Sequence, residues 1–280
     1  ETSSVVVKII QSSAHQKHPR GWNSTLGHSR KLRSYQVEHY WYQHYASRCQ
    51  MAAVPQCVAQ GRVEDALILV LEDLSTCGFP LRLQQLNGQQ LKVCIRWLAC
   101  FHATFMHQRP VGLWPIGTYW HLATRPEELK ALDDKALQQA ATAIDSLLNN
   151  CHYQSIVHGD AKIANFLFSK DSSQVSAVDF QYVGAGCGMK DLAYLIGSCM
   201  DENECEKKET VLLNYYFEQL QLALRPHAYE GQEIEREWRP MYRIAWADFH
   251  RFIKGWSPGH WKINSYSERI TDEVVRQMNQ

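Results

Sequence analysis

The chain carries no surplus of either charge. Its 29 Lys and Arg are balanced by 29 Asp and Glu, so nothing in the overall balance points to nucleic acid or an anionic membrane surface as a partner. It has no run of the roughly 18 uninterrupted apolar residues that a membrane span needs, and its first residues lack the basic-then-apolar layout of a secretion signal. Nine cysteines are present, at positions 49, 57, 77, 94, 100, 151, 187, 199 and 205, but no C-x-x-C and no Cys/His cluster at zinc spacing. An odd number of cysteines scattered through apolar runs reads as the reduced thiols of a cytoplasmic enzyme, with no disulfide expected. Internal repeats, low-complexity tracts and long linkers are also missing. What is there is a chain of 280 residues, 45% hydrophobic and 21% charged, enough for one large domain or two lobes with a sizeable core. A small molecule is the substrate class that this composition favours.

The most informative stretch runs from Ile156 to Asp179, IVHGDAKIANFLFSKDSSQVSAVD. Ile156 and Val157 lead a short apolar strand into His158, Gly159 and Asp160. Asn165 follows five residues after Asp160, and Asp179 fourteen after Asn165. Phe166 to Phe168 and Val175 to Val178 read as two strands of a hairpin that would bring Asn165 and Asp179 together. One amide and one carboxylate suffice for Mg²⁺, a hard octahedral ion that takes one or two protein oxygens and completes its shell with phosphate and water. Asp160 is left free to accept the proton of an attacking hydroxyl. Singly, each of these residues is an ordinary turn former. Together, at this spacing, they outline phosphoryl transfer, with the Asp-to-Asn interval of a kinase catalytic loop.

Elsewhere the pattern is mostly helical. Val5 to Ile10 reads as a buried strand carrying one lysine, Lys8, and residues 11–27 as a polar connection. Arg30 to Arg48 reads as a helix with Glu38 in its middle. Val54 to Val58 and Leu67 to Leu71 read as strands on either side of a turn at Gly61, followed by Glu72, Asp73 and Leu74. Helices are expected over Leu83 to His107, Pro126 to Asn150, Glu206 to Leu224 and Gly231 to Lys254. Gly184, Gly186 and Gly188 match no phosphate-cradling spacing and read as turn residues. His102 reads as a core histidine supporting the loop at Asp160. Asp191 is either a buried anchor for that loop's backbone or a plain helix cap. The aromatic stripe Trp238, Tyr242, Trp246 and Phe249 reads chiefly as core, with a wall for a cationic substrate as the alternative; Trp256, His260 and Trp261 are better placed to line a pocket.

His158-Gly159-Asp160, with Asn165 and Asp179, resembles the aminoglycoside phosphotransferase and choline kinase-like superfamily. The runs LILVLEDLSTCGFP and Asp179-Phe180-Gln181 look most like its ecdysteroid-kinase-like branch. The resemblance implies an α+β, protein-kinase-like bilobal fold, with a small β-rich N-terminal lobe over 1–74 and a larger, mainly helical lobe over 75–280. In such folds two strands and a glycine-rich loop precede the lysine corresponding to Lys8; only seven residues do so here, and the small lobe is read as N-terminally truncated. The resemblance further implies ATP and Mg²⁺ as cofactors. Asp160 is the implied catalytic base, and Lys162 is a candidate to lean on the transferred phosphate. Asn165 and Asp179 are the implied metal ligands. Lys8 would hold phosphates while paired with Glu38, and Glu72, Asp73 and Leu74 would form the adenine-binding hinge. As alternatives, Lys8 is a strand-end lysine reaching solvent and Glu38 a solvated helix residue. The activity implied is transfer of the γ-phosphoryl group to a hydroxyl of a small molecule. A catalytically inactive nucleotide-binding relative is the alternative, and a metal-dependent hydrolase built on His158 and Asp160 is a weaker third.

Overall fold

The computed structural model describes residues 4–11, 25–225 and 230–278. Its strands are β1 (Val5–Gln11), β2 (Cys57–Val63), β3 (Ala66–Glu72), β4 (Ser155–Val157), β5 (Phe166–Phe168), β6 (Val175–Ala177) and β7 (Gly184–Gly186). Its helices are α1 (Thr25–His44), α2 (Gly88–Thr104), α3 (Pro126–Ala131), α4 (Lys135–Asn149), α5 (Met189–Cys199), α6 (Glu202–Leu224), α7 (Gly231–Trp256) and α8 (Ser265–Met278). Small sheets in a mainly helical molecule make it α+β. Among the described residues no helix is long and apolar enough to cross a membrane.

The first sheet is antiparallel, in the order β1-β3-β2, with Lys8 opposite Leu69. Its β-branched residues favour extended backbone, but β1 is not the buried strand its composition suggests. It is an edge strand, with Val5, Val6, Val7 and Ile9 between 44% and 64% exposed, because burial needs a covering layer as well as an apolar sequence. The β2–β3 turn lies at Glu64, which takes a positive φ of 52°, and not at Gly61, which pairs with Ile68 inside the ladder. Most of the expected polar connection, residues 12–24, falls outside the described residues.

Helix α1 buries Ser34, Val37, Glu38, Trp41 and Tyr42, a stripe at three- and four-residue spacing. Trp41 stacks on Phe180 with centroids 4.7 Å apart and meets Phe105 edge-on at 5.3 Å, tying α1 to the helical core. Helix α2 starts five residues later than expected, at a capping box in which Asn87 Oδ1 accepts from Gln90 N and Gln90 Oε1 accepts from Asn87 N. The helix expected over Pro126 to Asn150 is two. Asp134 interrupts it by accepting the Leu137 N–H at 3.0 Å, so α4 begins with its own cap. Helix α8 was not anticipated; the apolar part of its buried face is only Tyr266, Ile270, Val274 and Val275, flanked by buried Ser267 and Thr271.

Of the three glycines after Asp179, Gly188 stands in a turn as expected, and Gly184 and Gly186 do not. Gly184 and Gly186 are in β7, which pairs with β4, and a Cβ on Gly184 would strike the Trp114 carbonyl. Gly188 precedes α5, and a Cβ there would sit 2.6 Å from His102 Nδ1 and 2.7 Å from the Tyr216 hydroxyl. Close packing, rather than a bend, requires glycine at both places.

Candidate active site

Strand β4 delivers His158, Gly159 and Asp160 to the centre of the molecule, and α5 holds them there. Asp191, fully buried in the first turn of α5, accepts the His158 N–H at 2.6 Å on Oδ2 and the Gly159 N–H at 2.9 Å on Oδ1. His102 Nε2 reaches the same Oδ2 at 3.1 Å, His102 Nδ1 meets the Tyr216 hydroxyl at 2.8 Å, and the His102 carbonyl accepts from Ser155 Oγ at 2.7 Å. Asp191 is therefore the loop's anchor and not a helix cap, and His102 braces the anchor from α2. Gly159 has a φ of +79°, and a Cβ there would strike the Tyr182 carbonyl. His158 accepts the Asp160 N–H on Nδ1 and lies 3.1 Å from the Val178 carbonyl through Nε2, which places its ring hydrogen on Nε2.

Asp160 has two unlike oxygens. Oδ2 accepts from Lys162 Nζ at 2.8 Å and from Asn165 Nδ2 at 3.0 Å. Oδ1 is buried and has no hydrogen-bond partner among the described residues, although the Tyr194 hydroxyl is near enough to interact with the carboxylate. Burial raises the Asp160 carboxyl above its ordinary range; the Lys162 ammonium opposes that shift and the Asp179 charge adds to it.

The β5–β6 hairpin brings Asn165 and Asp179 together, with the Val178 N–H donating to the Asn165 carbonyl at 3.0 Å. Asn165 spends its Nδ2 on the Asp160 carbonyl and carboxylate, so its Oδ1 is left as an acceptor without a protein donor among the described residues. Asp179 takes a φ of +71°, rare for a residue with a side chain, and its Oδ1 is buried with no partner among the described residues. Both side chains line one wall and present oxygens without protein donors among the described residues, the ligand type that a hard divalent cation takes.

That wall belongs to a cavity of about 270 Å³ lined also by Lys8, Tyr42, Glu72, Asp73, Leu74 and Arg82. Lys8 Nζ lies 2.6 Å from Oε1 of the buried Glu38, whose carboxyl burial pushes up and the Lys8 ammonium pulls down. Gln181 Nε2 approaches the other Glu38 oxygen at 3.4 Å. At the end of β3 the Glu72 and Asp73 N–H groups donate to Gln56 and Ser4 carbonyls, while the Leu74 N–H makes no hydrogen bond among the described residues.

A second cavity, about 350 Å³, opens on the other side of Asp160, with Lys162, Trp256, His260 and Trp261 in its lining. The stripe on α7 divides between two duties. Trp238, Tyr242 and Trp246 are core, and Phe249, Phe252 and Ile253 face the cavity. Arg125, Tyr119, Tyr182, Tyr194 and Lys262 complete the wall and were not singled out from the sequence. The one signal for Lys262 was its place directly after His260 and Trp261, a cation in an aromatic loop.

Residues 117–229 match the Ecdysteroid kinase-like family. No curated protein matches the chain. Similar solved structures include an ethanolamine kinase from Plasmodium vivax, 16% identical over 89% of this chain and 75% of that one, with a TM-score of 0.51. A choline/ethanolamine kinase family protein from Mesorhizobium loti is 13% identical over 86% and 78%, with a TM-score of 0.44. An aminoglycoside phosphotransferase from Streptomyces rimosus in complex with ADP and streptomycin is 12% identical over 76% and 83%, with a TM-score of 0.46. At such identities a likeness speaks for fold, and the first of these gives the chain the architecture of an ethanolamine kinase. The matched segment holds His158, Asp160, Asn165, Asp179 and Asp191, and over it the chain carries the pattern of the ecdysteroid kinase-like family, the branch that Asp179-Phe180-Gln181 resembles.

Proposed function

We propose that this chain is an ATP- and Mg²⁺-dependent phosphotransferase that moves the γ-phosphoryl group to a hydroxyl of a small molecule. The observation that carries the reading is the position of Asp160, on the wall of one cavity and beside the unsatisfied oxygens of the other. Oδ2 is held by Lys162 and Asn165, so the free Oδ1 is the atom that takes the hydroxyl proton. A carboxyl raised by burial is a better base at neutral pH than an exposed one. Asn165 and Asp179 would hold Mg²⁺, which when bound neutralises phosphate charge. Lys8, fixed by Glu38, turns its ammonium to the phosphates, and Lys162 can shift from Asp160 toward the transferred group. Glu72, Asp73 and Leu74 form the hinge, where the unpaired Leu74 N–H is a donor for the adenine edge. This reading divides the chain into a small lobe, 1–74, and a larger lobe, 75–280, with the nucleotide between them. Nine free cysteines suit a reducing, cytoplasmic setting.

The test is ADP release from MgATP over a panel of alcohols. Asp160→Asn should lower turnover by about 10² to 10⁴ while nucleotide still binds, and Asp179→Ala should remove the Mg²⁺-dependent part of nucleotide affinity. Unchanged turnover in Asp160→Asn would refute the assignment. Tight MgATP binding with no turnover on any alcohol would favour the inactive nucleotide-binding alternative.

A further inference from the structure

Lys262 is the unusual residue of the second cavity. It is 9% exposed, and among the described residues its Nζ makes no ion pair and no hydrogen bond. The other buried lysine among the described residues, Lys190, is satisfied by Asn149 Oδ1 at 2.8 Å. Lys262 instead has its ammonium against three aromatic rings, 4.4 Å from the centroid of Tyr194, 5.3 Å from Phe249 and 5.6 Å from Trp261. Such a cage is where a cationic substrate would otherwise dock. Here the protein's own cation fills it, and a second positive charge would be repelled.

The remaining charges on that wall are spoken for. Arg125 donates to the Tyr119 carbonyl and to Glu128, and Lys162 is paired with Asp160. A buried ammonium without an anionic or hydrogen-bonding partner is costly. Among the described residues the anion that acts on Lys262 is Asp160, whose Oδ2 is already held by Lys162 and Asn165, and a ligand carboxylate would supply the direct partner that Lys262 lacks. Phe249, Phe252, Ile253 and Trp256 give that wall an apolar stretch, beside the polar edges of Tyr119, Tyr182, Tyr194 and His260.

We infer that the second cavity takes a largely apolar hydroxyl compound bearing a carboxylate, with the carboxylate on Lys262 and the hydroxyl at Asp160, and that it turns away quaternary ammonium and polyamine acceptors. This rests on the phosphotransferase reading for the role of Asp160 but not for the binding itself. A matched set of ligands tests it without turnover: ω-hydroxydodecanoate, the corresponding diol and the corresponding ω-hydroxyalkyl trimethylammonium, titrated into the whole protein and followed by tryptophan fluorescence. MgATP binding is measured on the same sample. A charge-assisted hydrogen bond in a dry site should favour the carboxylate over the diol by about tenfold or more, with the ammonium compound weakest. Lys262→Met should bring carboxylate and diol to parity, and Lys262→Arg should restore the preference. Ammonium binding as tight as carboxylate overturns the inference, as does a preference that survives Lys262→Met, or no binding by any of the three. Loss of MgATP binding with the carboxylate preference intact would instead sink the phosphotransferase reading and leave the pocket standing.

Discussion

Titration of Lys262 acts in opposite directions on two measurable quantities. Burial lowers its pKa from the ordinary 10.5 to about 8, with Asp160 pulling it up and Lys162 pushing it down; Cys199, Tyr119, Tyr182, Tyr194, His260 and Arg125 are the other titratable groups around it. The folded chain therefore releases this proton before the unfolded chain does. Between about pH 8 and 10.5 the unfolded chain binds more protons, and stability rises with pH through that window. Affinity for a carboxylate moves the other way, because the ammonium that reads it disappears above about pH 8. Urea midpoints and carboxylate titrations at pH 7, 8.5 and 10 (values spanning roughly the shifted and ordinary lysine range), compared between wild type and Lys262→Met, check both slopes. The variant should lose the excess rise in stability and should show little change in affinity. Equal pH slopes in the two proteins would mean that Lys262 titrates like an exposed lysine.

Helix α5 sets the geometry of the loop from His158 to Asp160 through its first turn. Gly188 stands before that turn because His102, Trp238 and Tyr216 converge on its Cα, and Asp191 follows to clamp the two N–H groups after β4. Gly188→Ala should cost about 1 to 3 kcal/mol through overpacking, read as a lower urea midpoint. Because the displaced groups brace Asp191, turnover should fall with stability; a fully stable variant would show that the helix can shift without consequence. The roles of Asp160, Asn165 and Asp179 were suggested by residue type and spacing, since strands of three residues leave little freedom in where such side chains point. Asp191 was left as one of two choices, because an Asp near a helix start serves equally as cap or as anchor until the partner N–H groups are located. The exposure of β1 was illegible for a different reason: apolar β-branched residues specify extended backbone, not what covers it.

Across the whole molecule, the kinase-like order of motifs was readable because each lies at an element boundary with its own composition. The second cavity was not, because Tyr119, Arg125, Tyr182, Tyr194, Phe252 and Lys262 come from separate loops and helices that only packing of α5 and α7 brings together. Local periodicity holds no record of such a meeting.

Asp160 lines the second cavity and, through Oδ2, is bonded to Asn165 on the wall of the first. Under the proposed phosphotransferase reading, donor and acceptor would have separate seats and need not take turns in a single one, and no group on the chain would have to carry phosphate from one to the other. Initial-rate lines for varied ATP at several alcohol concentrations should intersect rather than run parallel, and a chiral thiophosphoryl donor should give product inverted at phosphorus. Parallel lines with retained configuration would require a phosphorylated side chain in the path.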